Sequence, residues 1–243
     1  MAKKIVIASG KGGVGKSSLT VGLCRALHAR GRRVLAVDCD LGLRSLDLLF
    51  SAGGALVYDW GDVLRGACAP ESACIDAGGV SLLAAPLRES AEFTAPRMRE
   101  MIAEYDAAYD YILIDAPAGV VGEFSLAAAA ADSALIVATA DGVCLRSAGR
   151  AAGTLRELGV SDRRLVLNRF HRAAAENSFL VNIDESIDRV GVQLIGVVPE
   201  DPEVTFRLPK GDPLPKKSPA QAAWRRIAGR IEGENIPLSF KKL

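Results

Sequence analysis

The sequence predicts an α/β fold: a doubly wound, mostly parallel sheet flanked by helices on both faces. Three observations predict it. Short apolar runs such as Ile5-Val6-Ile7-Ala8, Val34-Leu35-Ala36-Val37 and Tyr111-Ile112-Leu113-Ile114 alternate with longer segments of helical periodicity. The first run passes through a glycine-rich turn directly into a helix former. Two of the runs end on aspartate, Asp38 and Asp115, and in such sheets ligands bind at the carboxyl ends of the strands.

The chain has 243 residues, read as one domain over 1–243 with a tail at 233–243. Hydrophobic residues make up 49%, enough for a full core, and the net charge of +1 gives no global field for nucleic acid or an anionic membrane, so DNA is not an expected partner. Five cysteines without a C-x-x-C pair read as free thiols in a reducing cytoplasm, and neither a signal peptide nor a membrane span is expected.

In chain order, the first strand is Lys3 to Ser9. The turn Gly10-Lys11-Gly12-Gly13-Val14-Gly15-Lys16-Ser17 fulfils G-x-x-x-x-G-K-[ST], and Ser18 opens the helix proper. Glycines let the backbone wrap an anion, while loop N–H groups and the helix N-terminus point at it. Lys16 reaches β- and γ-phosphates and Ser17 holds Mg²⁺. Gly10, Gly12 and Gly15 also satisfy G-x-G-x-x-G, with Asp38 lying 23 residues after Gly15, which leaves a dinucleotide loop as the rival reading. The consecutive Lys16-Ser17 favours a nucleoside triphosphate. The helix runs from about Lys16 to Arg30, and the next strand, Val34 to Val37, ends at Asp38.

Asp38 and Asp40 follow that strand close to the expected phosphate, so a metal or water role is preferred to turn formation; Asp47 reads as a cap. Ser51 to Gly79 is mixed, with a short helix at Tyr58–Arg65. Val80–Ala84 is a strand and Thr94–Tyr105 a helix with Met98, Met101 and Ile102 as its core stripe. The strand from Tyr111 ends at Asp115, a carboxylate for Mg²⁺, and Pro117-Ala118-Gly119 makes a turn beside the γ-phosphate. Strands at Ser133–Ala138, Arg163–Asn168 and Leu194–Pro199 follow, with a helix at Leu145–Leu158. Lys210–Pro219 reads as a surface loop, and Ser218 caps a last helix whose first residue is Pro219 and whose docking stripe is Trp224, Ile227 and Ile231.

These motifs resemble those of the deviant Walker A ATPases, the MinD/ParA family, and within it the MinD branch. The resemblance rests on Lys11 to Ser17, on Val37 to Asp47, on Asp115 to Gly119 and on Val197 to Val204, and runs from Met1 to about Phe240. It implies an ATP/ADP- and Mg²⁺-dependent ATPase that forms a homodimer when ATP-bound, positions the bacterial division site, and works in the cytoplasm or peripherally at the membrane. Lys11 is implied to reach the partner's nucleotide and Asp40 to position the attacking water. Asp38 supports the metal, Asn168 contacts adenine, and Pro199, Glu200 and Asp201 close the base pocket. The sequence departs from the family twice. After Pro237-Leu238-Ser239-Phe240 only Lys241-Lys242-Leu243 remain, too few for an interfacial helix, so membrane binding is expected only with a C-terminal extension. Ser147 and Gly149 stand where the family carries acids in its helix for MinC- and MinE-like regulators. The alternative within the family is a positioning ATPase for flagella or for chromosome or plasmid partition. A nitrogenase-like iron–sulfur relative lacks its cysteine pattern here.

Overall fold

The computed structural model describes residues 1–171 and 181–238. Its centre is an eight-stranded sheet in the order β3-β4-β2-β5-β1-β6-β7-β8. The strands are β1 (Lys3–Ser9), β2 (Val34–Asp38), β3 (Cys74–Asp76), β4 (Ser81–Leu83), β5 (Tyr111–Ala118), β6 (Ser133–Ala138), β7 (Asp162–Phe170) and β8 (Leu194–Pro199). All neighbours pair in parallel except β3 with β4. Val6, Ala36, Leu113, Ile136 and Val166 are fully buried, which is why these strands are apolar without alternation.

Helices α1 (Lys16–His28), α2 (Ser45–Leu49), α3 (Trp60–Leu64), α4 (Ala95–Ala103), α5 (Glu123–Ala129), α6 (Gly142–Glu157), α7 (Ile183–Val190), α8 (Pro202–Arg207) and α9 (Pro219–Ile231) complete the described fold. The expected stripes are buried: Met98, Met101 and Ile102 on α4, and Trp224, Ile227 and Ile231 on α9. Ser218 Oγ accepts the Gln221 N–H, capping α9 as its sequence requires. Trp224 packs on Gly22 of α1, where a β-carbon would lie 2.2 Å from the indole. Trp60 is buried on the opposite side of the sheet order, edge-on to Phe93 at 4.7 Å, and its Nε1–H donates to the Asp38 main-chain oxygen at 2.9 Å.

Several boundaries differ from expectation for physical reasons. The turn after Asp115 begins at Gly119 (φ 102°), because β5 continues through Pro117 to Ala118; Pro117 has no N–H to pair, and the β1–β5 register shifts between Ile7 and Ser9. α6 starts at Gly142, three residues early, since Asp141 accepts the Cys144 N–H as its cap. Asp47 is not a cap: it lies inside α2, in its first turn, 3.8 Å from Arg44. The segment after β8 is the helix α8, begun by the Asp201 cap and Pro202. Within the mixed stretch 51–79 the chain adds the edge strand β3. The tail residues 239–243, on which the membrane expectation turned, lie outside the described residues. No helix among the described residues is long and apolar enough to cross a membrane.

Candidate functional site: a phosphate loop at the carboxyl edge of the sheet

β1 lies between β5 and β6, so the loop that follows it opens at the middle of the sheet's carboxyl edge. A cleft of about 470 Å³ runs from this loop to the ends of β7 and β8. Gly12, Gly13, Gly15, Lys16, Ser17, Ser18, Asp40, Asn168, Pro199, Glu200 and Asp201 all line it. Gly10, Lys11 and Val14 complete the loop without lining the cleft, and Asp38 and Asp115 stand behind it.

Two glycines have structural reasons beyond flexibility. At Gly10 a β-carbon would meet the Ser147 carbonyl oxygen at 2.1 Å, so α6 presses on the loop's first residue. Gly15 has φ 90° and would clash with Asn168 Nδ2 at 2.4 Å. Lys16 is only 8% exposed, whereas Lys11 is exposed on the rim.

β2 and β5 pair with Asp38 directly beside Asp115, both 1% exposed. Burial, reinforced by the Asp115 charge, raises the Asp38 carboxyl to about 7 against the pull of two backbone N–H groups. Burial also raises Asp115, opposed by the Lys16 ammonium and the Ser17 and Thr20 hydroxyls. Asp40, half-buried, is raised by desolvation and lowered by Lys16.

Asp38 also forms a turn. Its Oδ1 accepts the Asp40 N–H and its Oδ2 the Leu46 N–H, both at 2.9 Å, so it caps α2 from the preceding strand. Asp115 differs. Its Oδ1 lies 2.9 Å from Thr20 Oγ1, while its buried Oδ2 has no hydrogen-bond partner among the described residues. A buried, unpaired carboxylate oxygen beside a serine hydroxyl fits a hydrated divalent cation. Among the described residues no cluster of three or more His, Cys, Asp or Glu forms an all-protein metal cage. Mg²⁺ takes one or two protein ligands and completes its shell with phosphate and water.

On the far wall, Asn168 Nδ2 donates to the Val14 carbonyl at 2.7 Å, and Asp201 accepts from Ser218 Oγ at 2.5 Å while capping α8. Two residues escaped the sequence reading. Thr20 sits one turn beyond Lys16 and could have been found from that spacing. Arg169 is held at φ 54° against Glu200, and nothing in a single sequence signals a left-handed arginine. Of the two departures in α6, the Ser147 hydroxyl is returned to its own helix at the Val143 carbonyl, 3.0 Å away. Gly149 lies under α7, where a β-carbon would come within 3.2 Å of the Arg189 carbonyl.

The family model described as the CobQ/CobB/MinD/ParA nucleotide binding domain matches residues 5–214. The septum site-determining protein MinD of Bacillus subtilis is 35% identical over 98% of this chain and 92% of its own length. MinD of Aquifex aeolicus, solved in a MinC:MinD complex, superposes with a TM-score of 0.90 at 33% identity, covering 98% of both chains. MinD of Pyrococcus horikoshii, solved with Mg-ADP, gives a TM-score of 0.85 at 28% identity over 96% of each chain. A ParA-family ATPase of Chlorobium tepidum, at 21% identity, shares the fold alone. The chain belongs to the MinD/ParA nucleotide-binding family, on its septum site-determining MinD branch.

Proposed function

We propose that this protein is a Mg²⁺-dependent ATPase that dimerises around ATP, is released by hydrolysis, and positions the division site. The observation that carries the proposal is the contrast between its two loop lysines. Lys16 is buried in the cleft, where its charge meets the phosphates of its own nucleotide. Lys11 is exposed at the rim, free to act on a nucleotide held by a second copy. Large apolar side chains left exposed support a facing subunit: Leu43, Leu87, Val121 and Val143 follow β2, β4, β5 and β6 on the same carboxyl edge.

In this reading the loop N–H groups and the N-terminus of α1 bind the phosphates, and Lys16 balances charge that builds on them. Ser17, with Asp38 and Asp115 behind it, would hold Mg²⁺, which when bound offsets charge on the β- and γ-phosphates. Asp40 orients the water that attacks the γ-phosphorus, releasing ADP and phosphate. Asn168 and residues 199–201 enclose adenine. The Mg-ADP in the Pyrococcus relative supports the ligand, and the MinC in the Aquifex complex supports a MinC-like partner, with α6 as its docking helix.

Light scattering with and without ATP tests the switch. Wild type should double in mass with Mg²⁺-ATP and return to monomer as ATP is consumed. Lys11→Ala should stay monomeric while still binding nucleotide; a variant that dimerised and hydrolysed normally would sink the trans role.

A further inference from the structure

The phosphate loop is braced from outside by three side chains. Ser9 Oγ donates to the Lys11 carbonyl at 2.9 Å, Asn168 Nδ2 to the Val14 carbonyl at 2.7 Å, and Arg169 Nη1 to the Gly13 carbonyl at 3.5 Å. A loop that binds phosphate through its N–H groups must turn its carbonyls away and find them donors. Ser9 and Asn168 supply two of these from buried positions. Arg169 supplies the third from the cleft's lip and at a backbone cost, with φ 54° in the left-handed region. The same guanidinium forks onto Glu200, with Nε 2.9 Å from Oε2 and Nη2 3.3 Å from Oε1. The Glu200 N–H in turn donates to the Phe170 carbonyl at 3.1 Å. One strained residue thus ties the loop after β8 to the phosphate loop.

We infer that Arg169 is a positioning residue for the phosphate loop: by joining the Gly13 carbonyl to Glu200 it sets the grip on the phosphates without reading the base. The inference rests on the nucleotide reading above. A ligand with phosphates and no base separates this role from direct base or ribose contact. Binding of Mg²⁺-ADP and of Mg²⁺-tripolyphosphate is measured by calorimetry for wild type, Arg169→Gly and Arg169→Lys. Glycine suits the left-handed backbone, so that variant keeps the fold, which thermal unfolding checks. Arg169→Gly should weaken both ligands by a common factor of about fivefold, the scale of one solvent-exposed hydrogen-bonded link. Arg169→Lys should show nearly the same loss, because an ammonium keeps the charge but cannot fork between Glu200 and Gly13. A loss confined to ADP would overturn the inference, as would no loss in either ligand. Full rescue by lysine would also overturn it, by showing a simple charge effect. Wild-type protein that bound neither ligand would sink the nucleotide reading and the positioning role with it.

Discussion

Along the β7–β8 wall of the cleft, polar side chains are bonded within the protein: Asn168 to Val14, Arg169 to Glu200, Asp201 to Ser218 and the N-terminus of α8. Along the β2–β5 wall the balance is different. Asp38 and Asp115 are paired strand to strand with like charge, both are pushed up by burial, and Asp115 keeps a bare oxygen among the described residues. On the first wall Asn168, Arg169 and Asp201 each have their partners as folded. The second stores unfavourable electrostatics that a bound cation would relieve. Recognition profits from a preformed surface, and chemistry from groups poised to respond.

The sharpest way to break this contrast is to remove the buried cation of the phosphate loop. Lys16→Ala should lower ATP hydrolysis by about a hundredfold or more, measured as phosphate release, because one preorganised charge in a shielded site carries a term of that size. Asp40→Asn should come next. It should lower turnover by at least about tenfold while leaving ATP-dependent dimers intact on light scattering, since it disturbs the water and not the phosphates. An equal loss of dimer and turnover would place Asp40 in binding instead.

The smallest effect is on stability, and its sign is fixed by the acids. A carboxyl raised in the folded state stabilises below its unfolded range and loses that contribution as pH rises through its folded value. Asp38, raised to about 7, and Asp115 and Asp40, raised in the same direction, all act together. Nucleotide-free protein should therefore lose roughly 1–3 kcal/mol between about pH 5 and pH 8, and saturating Mg²⁺-ADP should flatten that slope. Denaturant titrations across pH read it directly. A stability that climbed through this window would show that the β2–β5 wall is not under the strain described.

How far the sequence foretold the molecule depends on whether the signal was local. The phosphate loop, the aspartate at the end of β2 and the Ser218-Pro219 start of α9 are short, consecutive patterns, and each was found in its place. α2 carries no local signal, because the side chain that caps it is Asp38, eight residues before Leu46 and on another element. α5 begins at Glu123 after Gly122, with no side-chain cap, so its alanines carry no start signal. In the site, the metal-side residues are adjacent to motifs. Arg169 owes its place to a backbone conformation and to Glu200, 31 residues away, which no local rule connects.

The two tryptophans of the chain are divided between the walls. Trp60 holds the carbonyl of Asp38 beside the acids, and Trp224 lines the cleft on the side of β8 and α9. The protein therefore carries one intrinsic fluorophore at each wall of the cleft. Exchanging either for phenylalanine would leave a single-channel emission signal, letting changes at the two walls be timed separately in one stopped-flow cuvette without an added dye.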